Sequence, residues 1–181
     1  MSILSRLTRR LRRHRRDEEG SATVEFALIF PAFAMLLMGG YEVGYYAVSS
    51  TMMQRGLDLA VRDIRLGAMP TVTPENVRLS ICTYARFVRG CSDNIHIILE
   101  PVDARNFDMP NKTGECIDRA SNTIPDTIFQ DGGENELMLV RACMNVSPVL
   151  PLATISSRLE KSSGSGYQMY ATAAFVNEPN T

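Results

Sequence analysis

The run ATVEFALIFPAFAMLLMGGYEVGYYAV, residues 22–48, constrains this chain more than any other feature. At ~1.5 Å per residue a helix of this length crosses a bilayer. Its uninterrupted part, Phe26 to Tyr41, is 16 residues. That is short of the ~20 a span needs, so Glu25 and Glu42 must lie near the two interfaces or be paired. Arg6, Arg9, Arg10, Arg12, Arg13, Arg15 and Arg16 precede the run, against only Asp17, Glu18 and Glu19. A basic arm by itself suits nucleic acid or anionic lipid. Beside an apolar run its role is orientation, and no nucleic-acid partner is expected. The excess of arginines predicts a cytoplasmic N-terminus and a C-terminal part on the far side of the membrane.

A secretory signal peptide fits poorly, because the apolar region is too long, no A-x-A-like site closes it, and the helical pattern continues beyond it. A plain signal anchor explains the arginines and the apolar run but not Gly20 or Glu25. Met53, Leu57, Ala60, Val61 and Ile64 recur at helical spacing, with Asp58 and Arg62 four apart on the polar side. Arg62 and Arg65 suit the negative end of the helix dipole, and Gly67 with Pro70 ends the element. The spacing thus predicts one helix over 22–66. Within it, Pro31 removes a backbone donor and favours a kink. Gly40 and Gly44 form a small-x-x-x-small pair that admits a neighbouring helix. Glu42, among Tyr41, Tyr45 and Tyr46, is expected to be solvated in an interfacial aromatic belt, the alternative being contact with a partner helix or a membrane platform.

Residues 70–181 are enough for one small core. TPENVRLSICTYARFV predicts a second helix with Thr73 as cap and Pro74 in its first position. NIHIILEPV, ELMLVRACMNV and YQMYATAAFV predict strands, and 103–135 predicts an irregular loop. The expected fold class is α+β: a long N-terminal transmembrane helix continuing into a small head, in which a helix packs on a short antiparallel sheet. Cys82, Cys91, Cys116 and Cys143 all follow the apolar run. In an exported head an even count predicts two disulfides. Three pairings are possible, and the expected one is Cys82–Cys91, joining helix end to strand start, with Cys116–Cys143 tethering the long loop to a strand. A zinc site is disfavoured, since there is no C-x-x-C pair and His96 is the only histidine of the head. No nucleophile elbow, H-E-x-x-H or phosphate loop is present. Asp126, Asp131, Glu134 and Glu136 lack calcium-loop spacing and read as a solvated turn. The expectation is a non-enzymatic protein with no cofactor and no metal.

Gly20, a small-residue start, Glu25 in the fifth place after it and Phe26 in the sixth resemble the processing site of type IV pilin-like precursors, although tyrosine is more usual in the sixth place of Tad (Flp) pilins. The longer string EEGSATVEFALIFPAFAMLLMGGYEVGYY followed by LDLAVRDIRLG is similar to TadE-like minor pilins, or pseudopilins, of the tight-adherence pilus system. LVRACMNVSPVLP and AAFVNEPN extend that likeness more loosely. The resemblance implies a precursor cut after Gly20 by a prepilin peptidase on the cytoplasmic side, so that Ser21 becomes the new terminus about one helical turn from Glu25. It also implies a leader over 1–20, a span over 21–48, a helical continuation over 49–67 and a periplasmic head over 70–181. The implied partners are the peptidase, other Tad pilins or pseudopilins and the inner-membrane secretion platform. The implied role is pilus assembly by packing. An uncleaved, signal-anchored periplasmic receptor or adaptor is the alternative.

Overall fold

The structure, a computed structural model, describes residues 21–103, 105, 116, 128–130, 132–149 and 167–177. The arginine arm, Gly20, Asp126, Asp131 and the SSGSG stretch lie outside the described residues. The chain divides into two units, Met1–Tyr41 and Glu42–Thr181. Its elements, in order, are helices α1 (Ser21–Arg65), α2 (Pro74–Tyr84) and α3 (Cys91–Asn94), followed by strands β1 (Ile95–Pro101), β2 (Leu137–Val146) and β3 (Tyr167–Val176). This is the α+β class expected from the sequence.

Helix α1 passes through Pro31 without losing helical assignment. It carries Arg62 and Arg65 in its last turn, where cations meet the unpaired carbonyls. It ends because Gly67 adopts φ 63°. Ala68 N–H then reaches the Asp63 carbonyl at 2.9 Å, and Gly67 N–H reaches Ile64 at 3.1 Å. This reversal needs a left-handed residue, which glycine supplies without a steric penalty. The chain turns back and α2 starts as its sequence dictates. The Thr73 hydroxyl accepts from Asn76 N–H at 3.3 Å, and Pro74 occupies a position with no intrahelical donor to lose.

The sequence expectation carries α2 to residue 88, but the helix stops at Tyr84. Ala85 leaves helical geometry (φ −92°, ψ 44°), and Val88 N–H bonds the Ala85 carbonyl at 3.0 Å. That turn buries both Ala85 and Val88 and brings Cys91 to Cys82. Tertiary burial and the cross-link thus override the helical period over 85–88.

The sheet order is β1-β2-β3, antiparallel throughout. One face presents Ile95, Ile97 and Leu99 of β1, Met138, Val140, Ala142 and Met144 of β2, and Met169, Ala171 and Phe175 of β3. In the same core lie Met53, Leu57, Ala60 and Val61 of α1 and Val77 and Ile81 of α2. Much of the opposite face is buried too: His96, Ile98, Cys143 and Asn145 are each under a tenth exposed. The outer edge of β1 is covered by residues 128–130. Leu99 N–H donates to the Ile128 carbonyl at 2.9 Å, and Gln130 N–H donates to the Leu99 carbonyl at 3.0 Å.

Gly56 marks the close approach of α1 and α2. A Cβ there would stand 2.7 Å from the Ile81 carbonyl oxygen and 3.2 Å from the Ala85 Cβ. Alanine gains ~1 kcal/mol of helix propensity over glycine, whereas overpacking a tight contact costs ~1–3 kcal/mol. Because the nearer obstacle is backbone, the second effect prevails. Thermal unfolding of the detergent-solubilised protein should therefore show a lower Tm for Gly56→Ala and a lower one still for Gly56→Leu. A leucine variant as stable as the parent would contradict this account of the helix contact.

Candidate membrane and assembly site

The described part of the first unit, residues 21–41, turns its large apolar side chains outward. Phe26 is 64% exposed, Leu28 74% and Leu36 77%. A contiguous apolar surface of this kind does not persist in water and marks a face made for lipid or other helices. Length and composition suffice for α1 to cross a bilayer. Phe26 and Phe30 stack with ring centroids 5.0 Å apart, as the i, i+4 spacing allows. Glu25 is exposed within this surface, between Val24 and Phe26. An ionised carboxylate at the centre of a bilayer costs at least ~2.5 kcal/mol, so its position near the end of the run matters. Ser21 precedes it by four positions on the same helix. A Cβ on Gly40 would meet nothing within 4 Å, and the same holds for Gly44 in the second unit.

Glu42 departs from expectation. It is 2% exposed rather than solvated. Its Oε1 accepts a hydrogen bond of 3.0 Å from the backbone N–H of Val149, just beyond the end of β2. A buried carboxylate is tolerated only when donors replace its lost water, and a main-chain N–H left by a finished strand needs an acceptor. The pairing meets both demands, and it holds the chain after β2 against α1. Tyr45 and Tyr46 are likewise half-buried against the head. The Tyr45 ring lies 5.6 Å from that of Phe87, and Tyr46 meets Tyr167 edge-on at 5.9 Å. Only Tyr41, 57% exposed, keeps the open position expected of a belt residue.

Two α1 side chains also serve the free edge of β3. The Gln54 carboxamide donates to the Thr172 carbonyl at 3.2 Å and accepts from Thr172 N–H at 3.3 Å. It thereby imitates a peptide unit of a fourth strand. The Tyr46 hydroxyl donates to the Gln168 carbonyl at 3.2 Å. Cys82 is bonded to Cys91 and Cys116 to Cys143, with Cα separations of 5.6 and 5.1 Å. Asp63 accepts from the Tyr84 hydroxyl at 3.0 Å, and this hydrogen bond raises the phenol above its ordinary pKa. No group of three or more His, Cys, Asp or Glu is placed to hold a metal among the described residues. Gln54, Gly56 and Phe87 were not singled out by sequence, because each acquires its role from a chain segment distant in sequence.

This geometry defines a class: an apolar helix suited to a membrane whose continuation forms part of the core of a small disulfide-bonded α+β head. Within that class, residues 20–62 match the model of the TadE-like protein family, to which this stretch is similar. The matched residues run from Gly20 through Glu25, Phe26, Pro31, Gly40, Glu42 and Gly44, and stop before the head's second helix. No curated protein and no solved structure matches the chain. The apolar helix and the family match together fit a single-pass membrane protein.

Glu42→Ala should remove the acceptor for Val149 N–H, at ~1–3 kcal/mol for a buried donor left unpaired. Hydrogen exchange at the Val149 amide should accelerate, and Glu42→Gln, which keeps an oxygen, should be milder. Unchanged exchange in the alanine variant would show that the carboxylate does not hold this segment.

Proposed function

We propose that this chain is a pseudopilin of a Tad pilus assembly system. It is made with its arginine arm in the cytoplasm and its head in the periplasm, and a prepilin peptidase cuts it after Gly20. The mature subunit acts through α1, by packing against other pilins or pseudopilins and the inner-membrane platform, and not by catalytic turnover. The observation that carries this reading is the TadE-like match, which begins at the glycine of the processing-type motif and includes Glu25 and Phe26. The outward apolar surface of residues 22–41 supports it further, since helix packing in lipid requires such a surface.

The role of Glu25 follows from the chemistry of the cut. Cleavage after Gly20 creates an ammonium on Ser21, about one helical turn from Glu25 or facing the Glu25 of a neighbouring subunit. Removing one member of a desolvated charge pair costs ~3–5 kcal/mol, enough to weaken lateral association a hundredfold or more.

Intact mass of the protein from membranes with an active prepilin peptidase should correspond to a chain beginning at Ser21. Recovery of the whole arm under those conditions would favour the uncleaved receptor or adaptor instead.

Glu25→Ala should be at least partly processed and inserted, yet fail to co-purify with other pilins or to support pili. Glu25→Asp should be intermediate, and Glu25→Gln should resemble alanine. Normal co-purification and piliation by the processed alanine variant would refute the pairing and leave Glu25 as an interfacial residue.

A further inference from the structure

Helix α2 and the turn after it run back along α1. The Ser80 and Tyr84 hydroxyls bond Asp63 Oδ2 at 3.5 and 3.0 Å, Gly56 faces Ile81 and Ala85, and the Phe87 ring lies 5.6 Å from that of Tyr45. Ser80 and Tyr84 reach residue 63 of α1, Ile81 and Ala85 face residue 56, and Phe87 reaches residue 45, so the end of this segment lies furthest back along α1. The turn therefore ends beside Tyr45, only four residues past Tyr41, where the uninterrupted apolar run stops. At ~1.5 Å per residue that is ~6 Å of helix, within the headgroup layer of a bilayer.

The chemistry of the turn suits that depth. Phe87 is 52% exposed although it is large and apolar. Arg86 and Arg89 flank it, and both are exposed. Arg86 spends its Nε–H on the Thr83 carbonyl at 3.2 Å, which leaves the terminal N–H groups of the guanidinium for other acceptors. Aromatic rings favour the membrane interface, and arginines beside them can reach lipid phosphates while their stems cover apolar surface. We propose that the Arg86–Arg89 turn is a second membrane contact of this protein. Phe87 enters the outer part of the lipid leaflet beside Tyr45, and Arg86 and Arg89 bind the phosphates of anionic lipid headgroups. The occupant is lipid because an exposed aromatic ring between arginines suits the interface and the charge of the turn complements phosphate. The contact would fix the head's height and rotation relative to the bilayer.

The inference rests on α1 crossing the membrane, and the test separates the two readings. The chain contains no tryptophan, so single Trp variants of the full-length protein report one site each. Tyr41→Trp, Phe87→Trp and Leu79→Trp are placed in vesicles of phosphatidylcholine and phosphatidylglycerol with brominated acyl chains. Leu79 is also exposed but lies beside the part of α2 that meets Asp63. Emission from Tyr41→Trp and Phe87→Trp should be quenched several-fold more than from Leu79→Trp. Adding Arg86→Gln and Arg89→Gln to Phe87→Trp should lower its quenching towards the Leu79→Trp level, and so should omitting phosphatidylglycerol. If Phe87→Trp is quenched no more than Leu79→Trp while Tyr41→Trp is quenched, the second contact is wrong and the span stands. If Tyr41→Trp is also unquenched, both fail. Quenching of Phe87→Trp that ignores the arginines and the lipid charge overturns the phosphate contact. A Phe87→Trp spectrum that follows protein density rather than bromine assigns the patch to a second copy of the chain and overturns the proposal.

Discussion

One helix carries two kinds of surface, and much of the rest of the structure depends on the second. Up to Tyr41 the large apolar side chains of α1 are turned outward, as suits a helix in lipid. From Met53 onward the same helix buries a single stripe, Met53, Leu57, Ala60 and Val61, in a protein core. Such a core is small, and a helix plus three strands alone would leave a sheet edge and several main-chain groups without partners. Helix α1 supplies them through its own polar side chains. Gln54 and Tyr46 bond the edge of β3, Glu42 accepts from Val149, and Gly56 lets α2 lie close. Helix α1 is thus also a structural part of the head.

Glu25, Glu42 and Gln54, three of the five acidic or amide residues of α1, differ in what they ask of their surroundings. Glu25 is exposed among apolar neighbours in the first unit, and in the proposed assembly role its partner is a Ser21 ammonium, of its own chain or of a neighbouring subunit. Glu42 is enclosed and engages a main-chain donor of its own head. Gln54, uncharged, matches both the donor and the acceptor of Thr172. A charged partner for Glu25 is part of the proposed assembly role, whereas Glu42 and Gln54 are explained by the fold itself.

Much of this architecture was legible because it depends on local signals. The apolar run and the spacing from Met53 to Ile64 give α1, Gly67 gives its end, Thr73 with Pro74 gives the start of α2, and alternating apolar residues give the three strands. What was not legible depends on residues far apart in sequence. Nothing adjacent to Glu42 reveals that Val149 will offer it an N–H, so tyrosine neighbours suggested solvent. Gly56 reads as a helix-weakening residue until Ile81 is placed against it. The helical period past Tyr84 continues in sequence but yields in space to the burial of Val88 and the Cys82–Cys91 bond. Cysteine number alone left three pairings open, and the expected one rested on where the cysteines fall among the predicted elements. Of the candidate site, the residues in α1 could be named from their order, but Gly20 lies outside the described residues and the family match ends at Arg62.

The cysteine connectivity has a consequence for how the head can be made. Each bond joins cysteines that are consecutive in the chain, the first pair nine residues apart and the second 27. A polypeptide emerging N-terminus first presents Cys82 and Cys91 together before Cys116 appears, and Cys116 then meets Cys143 with no other free thiol to compete. Order of emergence and final connectivity agree, so joining cysteines in the order they appear yields the observed bonds and no reshuffling is needed. The second bond closes only after β2 has been delivered. Oxidation of this head can therefore proceed in the same direction as its synthesis, with α1 and α2 already complete while the sheet is still being supplied.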